Sequence, residues 1–169
     1  LNAGDTLLIT GGSGFLGWNL ACRLPAPGGI VLTHHHHAVP DLPWPSLPLD
    51  LGQAGAVEAL MRDVRPAAVV HTAAMTSPDA CEDAPQRAWD INAEGTRRVA
   101  RAAQAVGARL VLCSTDLVFD GEGSRYRETD VPRPLSHYGR SKLQGEQEAL
   151  SACDETWVLR LAVMFGQSN

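Results

Sequence analysis

Lysine is almost absent from this chain: of 14 basic residues only Lys142 is lysine and the rest are arginine. Arginine is a poor substitute where a compact ammonium of tunable proton affinity is needed, so the one position that keeps lysine is a candidate for chemistry. Aromatic residues are scarce too, 5% of 169 residues, with two tyrosines, Tyr126 and Tyr138. The net charge is -5 and no basic block interrupts it, which excludes the electrostatic footprint of a nucleic-acid or anionic-membrane partner. No apolar run approaches the roughly 20 residues of a membrane span, and the chain opens on a strand-like segment instead of a charged-then-apolar leader. A cytoplasmic location is expected. Cys22, Cys81, Cys113 and Cys153 form no CxxC pair, so they are expected to be buried, reduced and structural.

What is present is a hydrophobic fraction of 44%, enough for one compact domain with a real core. Short β-branched runs alternate with longer helical stretches, the signature of βαβ units. Strands are expected at Thr6–Thr10, Ile30–Thr33, Ala67–Thr72, Arg109–Ser114 and Thr156–Ala162. Helices are expected from Gly14 to Leu24, stopped by Pro25 and Pro27, and from Gln53 to Val64, stopped by Arg65-Pro66. A third should run from a cap at Asp83, with Gln86 as capping-box partner, to a left-handed stop at Gly107, and a fourth from Ser136 to Ala152. The expected fold is α/β, a Rossmann-type doubly wound parallel sheet with helices on both faces, and residues 1–169 form one domain. The segment His34 to Leu49 carries four consecutive histidines and four prolines and reads as a loop. Adjacent histidines do not converge on one ion, so no metal site is expected.

The first strand runs directly into Gly11-Gly12-Ser13-Gly14-Phe15-Leu16-Gly17 and then into a helix. That context turns a glycine pattern into a dinucleotide-binding expectation: the glycines permit a tight turn, backbone N–H groups approach a pyrophosphate, and the helix points its positive end at the anion. Gly11, Ser13, Gly14, Phe15, Leu16 and Gly17 are the cofactor-contacting candidates. About 20 residues on, where an NAD site offers Asp or Glu to the ribose, the chain has Thr33-His34-His35, with no arginine either. The missing acid favours NADP slightly over NAD, with His34 beside the phosphate. Asp50 and Leu51 are placed at the adenine end or form a strand-end turn.

Tyr138 and Lys142 stand four residues apart at the start of a predicted helix and share one face. A phenol titrates near pH 10, and about 4 kcal/mol is needed to bring it to neutrality; an adjacent ammonium acts in that direction. Strand Arg109–Ser114 ends in Ser114-Thr115-Asp116 at the carboxyl edge of the sheet, where a hydroxyl can hold a carbonyl beside Tyr138.

These motifs, with His71-Thr72-Ala73-Ala74 and Asn92-Ala93-Glu94-Gly95-Thr96, resemble the extended short-chain dehydrogenase/reductases. Ser114-Thr115-Asp116-Leu117-Val118-Phe119, Arg127-Glu128-Thr129-Asp130, Pro134-Leu135 and Tyr138-Gly139 are most similar to the dTDP-4-dehydrorhamnose reductases. The resemblance implies Tyr138 as proton donor, Lys142 as its partner and ribose anchor, and Thr115 as the hydroxyl orienting the carbonyl. It places Ala73, Ala74, Asn92 and Ser114 at the cofactor, and Thr76 and Asp116 nearest the sugar. The implied reaction is NAD(P)H-dependent reduction of a 4-keto-6-deoxy nucleotide sugar, in a protein for which a homodimer stays open.

The chain departs from the reductases at Val163, where they carry a tryptophan after Arg160. Their C-terminal substrate-binding lobe is expected to be missing from this chain. Two other readings stand beside the first. The regulatory subunit of methionine adenosyltransferase is similar around Phe119-Asp120-Gly121 and Tyr126-Arg127-Glu128, which implies a non-catalytic nucleotide-binding module. A nucleotide-sugar epimerase or dehydratase would share Tyr138 and Lys142.

Overall fold

The computed structural model describes residues 2, 4–24, 26, 28–38, 42–123 and 125–166. Six strands form one parallel sheet in the order β3-β2-β1-β4-β5-β6, with β1 Leu7–Thr10, β2 Ile30–His34, β3 Ser46–Pro48, β4 Ala68–His71, β5 Arg109–Thr115 and β6 Thr156–Leu161. Leu8 of β1 is in register with Val31 on one side and Val69 on the other. The central strands are buried on both faces, which is why they read as continuous apolar runs instead of alternating ones. Leu7 and Ile9 face a cluster with Ala21 of α1 (Phe15–Arg23), Ile30 and Leu32. Leu8 faces the opposite cluster, with Val57 and Met61 of α2 (Ala56–Val64), Val99 of α5 (Thr96–Val106) and Ala149 of α6 (His137–Ala152).

Helices therefore cover both faces and the chain reverses direction beside β1, opening a crevice at the carboxyl ends of β1 and β4. The Rossmann-type expectation holds. Among the described residues no helix is long and apolar enough to cross a membrane.

Three local expectations need correction. The segment His34 to Leu49 is not all loop: Ser46–Pro48 adds a short strand to the sheet edge, with Leu32 N donating to Pro45 O at 2.9 Å and Leu49 N to His34 O at 2.8 Å. An edge strand tolerates proline because one side of it has no ladder to complete.

The third helix is broken into pieces. Asp83 ends a separate helix, α3 (Pro78–Asp83), capped by Ser77, and Ala84 precedes α4 (Pro85–Trp89). Pro85 fits only at a first turn, so it resets the helix there; Gln86 bonds Asp90 instead of reaching back to Asp83. A π-helical turn, Asp90–Gly95, then leads into α5, which stops at Gly107 as expected. Cys81 and Cys153 are buried, but Cys22 is exposed on α1. Pro25 and Pro27 lie outside the described residues.

Candidate active site

The loop between β1 and α1 is held by short contacts. Gly12 N donates to Thr33 O at 2.7 Å and Gly14 N to Gly11 O at 3.0 Å. A side chain at Gly17 would stand 2.4 Å from Gly11 O, so only glycine lets α1 approach the loop this closely. No side chain caps α1 at Gly14. The helix start thus keeps its positive end for an anion.

A cleft of about 660 Å³ begins at this loop and runs along the carboxyl edge of the sheet to α6. Gly11, Ser13, Gly14, Phe15, Leu16 and Gly17 line one part of it; His34, Asp50 and Leu51 line the β2 end. Ala73, Ala74, Thr76, Ser114, Tyr138 and Lys142 line the far end. Its size and its glycine floor suit a dinucleotide.

Asn92 does not line the cleft. It is buried in the π-helical turn, where its Oδ1 accepts from Met75 N at 2.8 Å and its Nδ2 donates to Met75 O at 3.0 Å and Ser141 Oγ at 3.0 Å. Its contribution is to fix the backbone after β4 to α6. That helix comes close enough because residue 145 is glycine: a side chain there would stand 2.4 Å from Asn92 O.

Thr115 and Asp116 stand at the β5 end, beside the cleft and not among its lining residues. The Thr115 hydroxyl has two acceptors in reach, the Tyr138 phenol and Asp116 Oδ1 at 3.2 Å. Burial pushes the Tyr138 phenol above its ordinary range, partly offset by the hydrogen bond from Thr115. This differs from the expectation that Lys142 would lower it. The Lys142 ammonium is buried and turned into the sheet, donating to Cys113 O at 2.7 Å, and burial brings it down to about 8.

Sequence reasoning missed the residue that steadies Lys142. Glu146, one turn further along α6, is buried and accepts from Ser114 Oγ at 2.5 Å. Arg160 of β6 meets it with two nitrogens, the closer at 2.7 Å. The guanidinium also lies 5.0 Å above Phe119, which stacks on Tyr126 at 4.3 Å. Glu146 opposes the effect of burial on Lys142 and fixes the Ser114 hydroxyl at the cleft wall. Its spacing, i+4 from Lys142, was the available signal.

His71, quoted only as part of a motif, is the second omission. Fully buried at the end of β4, it bridges Thr10 Oγ1 at 2.6 Å and Thr96 Oγ1 at 3.2 Å. Thr96 gives its own proton to Asn92 O, so Nε2 of His71 must be the protonated nitrogen and Nδ1 the acceptor from Thr10. Burial and the nearby Lys142 charge lower its pKa to about 3, and the ring is neutral.

The family model described as the RmlD substrate binding domain matches residues 5–169. The chain is 37% identical over 164 residues to methionine adenosyltransferase 2 subunit beta of Xenopus tropicalis, covering 96% of this chain and 48% of that protein. It is 38% identical over 163 residues to dTDP-4-dehydrorhamnose reductase of Streptomyces griseus, covering 94% and 50%. Among solved structures, dTDP-4-dehydrorhamnose reductase from Bacillus anthracis in complex with NADP matches with a TM-score of 0.81 at 32% identity, over 96% of this chain and 55% of that one. The chain spans about half the length of these relatives. Its sheet order, its glycine loop and this match agree: the chain belongs to the RmlD substrate binding domain family, within the extended short-chain dehydrogenase/reductases.

Proposed function

We propose that the chain carries the cofactor-binding and proton-donating part of an NAD(P)H-dependent reductase of a 4-keto-6-deoxy nucleotide sugar. The observation that carries this reading is Tyr138 and Lys142 together at one end of a cleft whose floor is the glycine loop, with Thr115 beside it at the end of β5. In this reading Ser13 to Leu16 would hold the pyrophosphate and Ala73 and Ala74 the nicotinamide, with His34 and Asp50 toward the adenosine. NADP is the preferred coenzyme, in keeping with the NADP bound to the Bacillus anthracis reductase.

Bound there, the reduced dinucleotide supplies hydride to the sugar carbonyl carbon. Thr115 orients the carbonyl oxygen, and Tyr138 gives its phenolic proton to that oxygen as negative charge develops. A phenol whose proton affinity is raised by burial stays protonated at neutral pH, which suits a donor. Lys142, with a pKa of about 8, is charged at pH 7 and lines the cleft where it would serve the cofactor ribose. Thr76 and Asp116 face the sugar, whose specificity is set partly at Val163, exposed in place of the reductases' tryptophan. A homodimer in the cytoplasm is the corresponding assembly and location.

The test is NADPH and NADH oxidation with a dTDP-4-keto-6-deoxyhexose, beside Tyr138→Phe. Turnover that disappears in the variant while coenzyme binding persists supports the reading; coenzyme binding without turnover by a protein in which this chain is joined to the substrate-binding lobe overturns it. The second reading, a non-catalytic nucleotide-binding subunit, is favoured by the likeness to methionine adenosyltransferase 2 subunit beta. It expects coenzyme binding, no turnover and retention of a protein partner.

A further inference from the structure

The wall of the cleft on the β4 side carries a cation that the reduction leaves without a task. Arg87 of α4 and Ile91, four residues apart, both line the cleft, as do Met75 and Thr76 of the segment after β4. That segment adjoins the glycine loop: Thr72 Oγ1 donates to Thr10 O at 2.6 Å, and a side chain at Gly11 would stand 2.8 Å from Ala73 N. The helix that bears Arg87 is fixed in turn, packed against α6 and the π-helical turn.

Arg87 is exposed, and its own helix does not engage it. Asp90, three residues on, accepts from Gln86 Nε2 at 2.9 Å instead, and Asp83, four residues back, lies across the helix break at Ala84. Among the described residues the Arg87 guanidinium has no hydrogen bond and no ion pair. Arginine and lysine give the cleft lining two cations, and the other one, Lys142, donates to Cys113 O. The single lining carboxylate, Asp50, follows β3 and belongs to the β2 end. Ala73, Ala74, Met75 and Thr76, the lining residues after β4, bring no charge. On this wall an anion therefore meets one unengaged cation and no opposing carboxylate in the lining.

Resting on the dinucleotide reading above, we propose that Arg87 binds a diphosphate from the β4 wall, and that this diphosphate is the coenzyme's. The start of α1 offers backbone N–H groups and the equivalent of about half a positive charge. Each phosphate of the bridge carries a charge, so the oxygens turned away from the glycine loop call for a second set of donors. A guanidinium meets such oxygens with two parallel N–H groups, and the donors of Arg87 are open. The loop and the arginine then hold the bridge between them. The diphosphate is common to NADH and NADPH, so Arg87 sets how tightly either is bound and leaves the choice between them to the β2 end.

The experiment measures Kd for NADPH and NADH by nicotinamide fluorescence, and for ADP-ribose and dTDP by competition or calorimetry, in the 169-residue chain and its Arg87→Gln and Arg87→Lys variants. Circular dichroism checks folding, and Arg101→Gln, at an exposed arginine of α5 outside the cleft lining, controls for net charge. The expected result is that Arg87→Gln weakens NADPH, NADH and ADP-ribose by the same factor, about tenfold. Arg87→Lys, which keeps the charge without the planar fork, should recover part of the loss, and Arg101→Gln should change nothing. Added salt should weaken the wild type more than Arg87→Gln. If Arg87→Gln binds all three as the wild type does, or loses affinity for NADPH alone, the proposal is wrong and the dinucleotide reading stands. A loss confined to dTDP would assign the arginine to a substrate diphosphate and likewise overturn it. A folded wild type that binds neither coenzyme would overturn the dinucleotide reading itself, and the proposal with it.

Discussion

At the Tyr138 end of the cleft, Ser114, Lys142, Glu146 and Asn92 are buried and each is held by a defined partner. At the β2 end, His35, His36 and Asp50 stand exposed, and the strand beneath them is a three-residue edge. The difference separates two tasks. Proton transfer needs groups whose affinities are set by a dry, fixed environment, because charge interactions are strong and reorganisation is small there. Recognition of a ligand at a wet edge can use exposed groups and bridging water instead.

The largest effect should come from Tyr138→Phe, which removes the proton donor and leaves the packing in place. Turnover should fall by about 10²–10⁴-fold with NADPH affinity unchanged, measured by steady-state oxidation and fluorescence titration. Removing the charge that balances Lys142 comes next. Glu146→Ala leaves Arg160 and Ser114 without their partner, and should cost about 3 kcal/mol of stability in denaturant unfolding. The less drastic Glu146→Gln should lower the Lys142 pKa further, so the alkaline limb of activity, expected near pH 8, moves to lower pH.

His71 tests the buried side through acid. Its folded pKa, about 3, lies below the ordinary 6.5, so between those values the unfolded chain binds a proton that the folded chain refuses. Stability from this group is complete above about pH 6.5 and is lost as pH falls, by about 2 kcal/mol at pH 5. Thermal midpoints from pH 7.5 to 5 should show that slope in the wild type and a shallower one in His71→Gln. The smallest effect belongs to Phe119→Leu, which withdraws the ring beneath Arg160. A loss of about 0.5–1 kcal/mol in denaturant unfolding is expected, with coenzyme affinity unaffected.

Legibility in the sequence followed the same division between local and long-range features. The glycine loop, the i+4 spacing of Tyr138 and Lys142, and the strand-end Ser114-Thr115 are local patterns, and each stands at the cleft or beside it. The strand Ser46–Pro48 was hidden by its prolines, which read as loop until an edge position makes them acceptable. The broken third helix was hidden by Pro85, whose effect depends on whether a helix starts or continues there. Glu146 and His71 were missed for another reason: their partners are 32 and 14 residues away for Glu146 and 61 and 25 for His71, so nothing local marks them. The orientation of Lys142 into the sheet was equally invisible, as was the burial that raises the Tyr138 phenol.

The most direct test of the account is coenzyme binding by the folded chain, measured as NADPH fluorescence with Gly17→Val and Tyr138→Phe in parallel. The account predicts saturable one-site binding that is lost when a side chain is forced against Gly11 O and kept when the phenolic oxygen is removed. A folded wild type that shows no saturable binding, or a Gly17→Val variant that binds as well as the wild type, would contradict it.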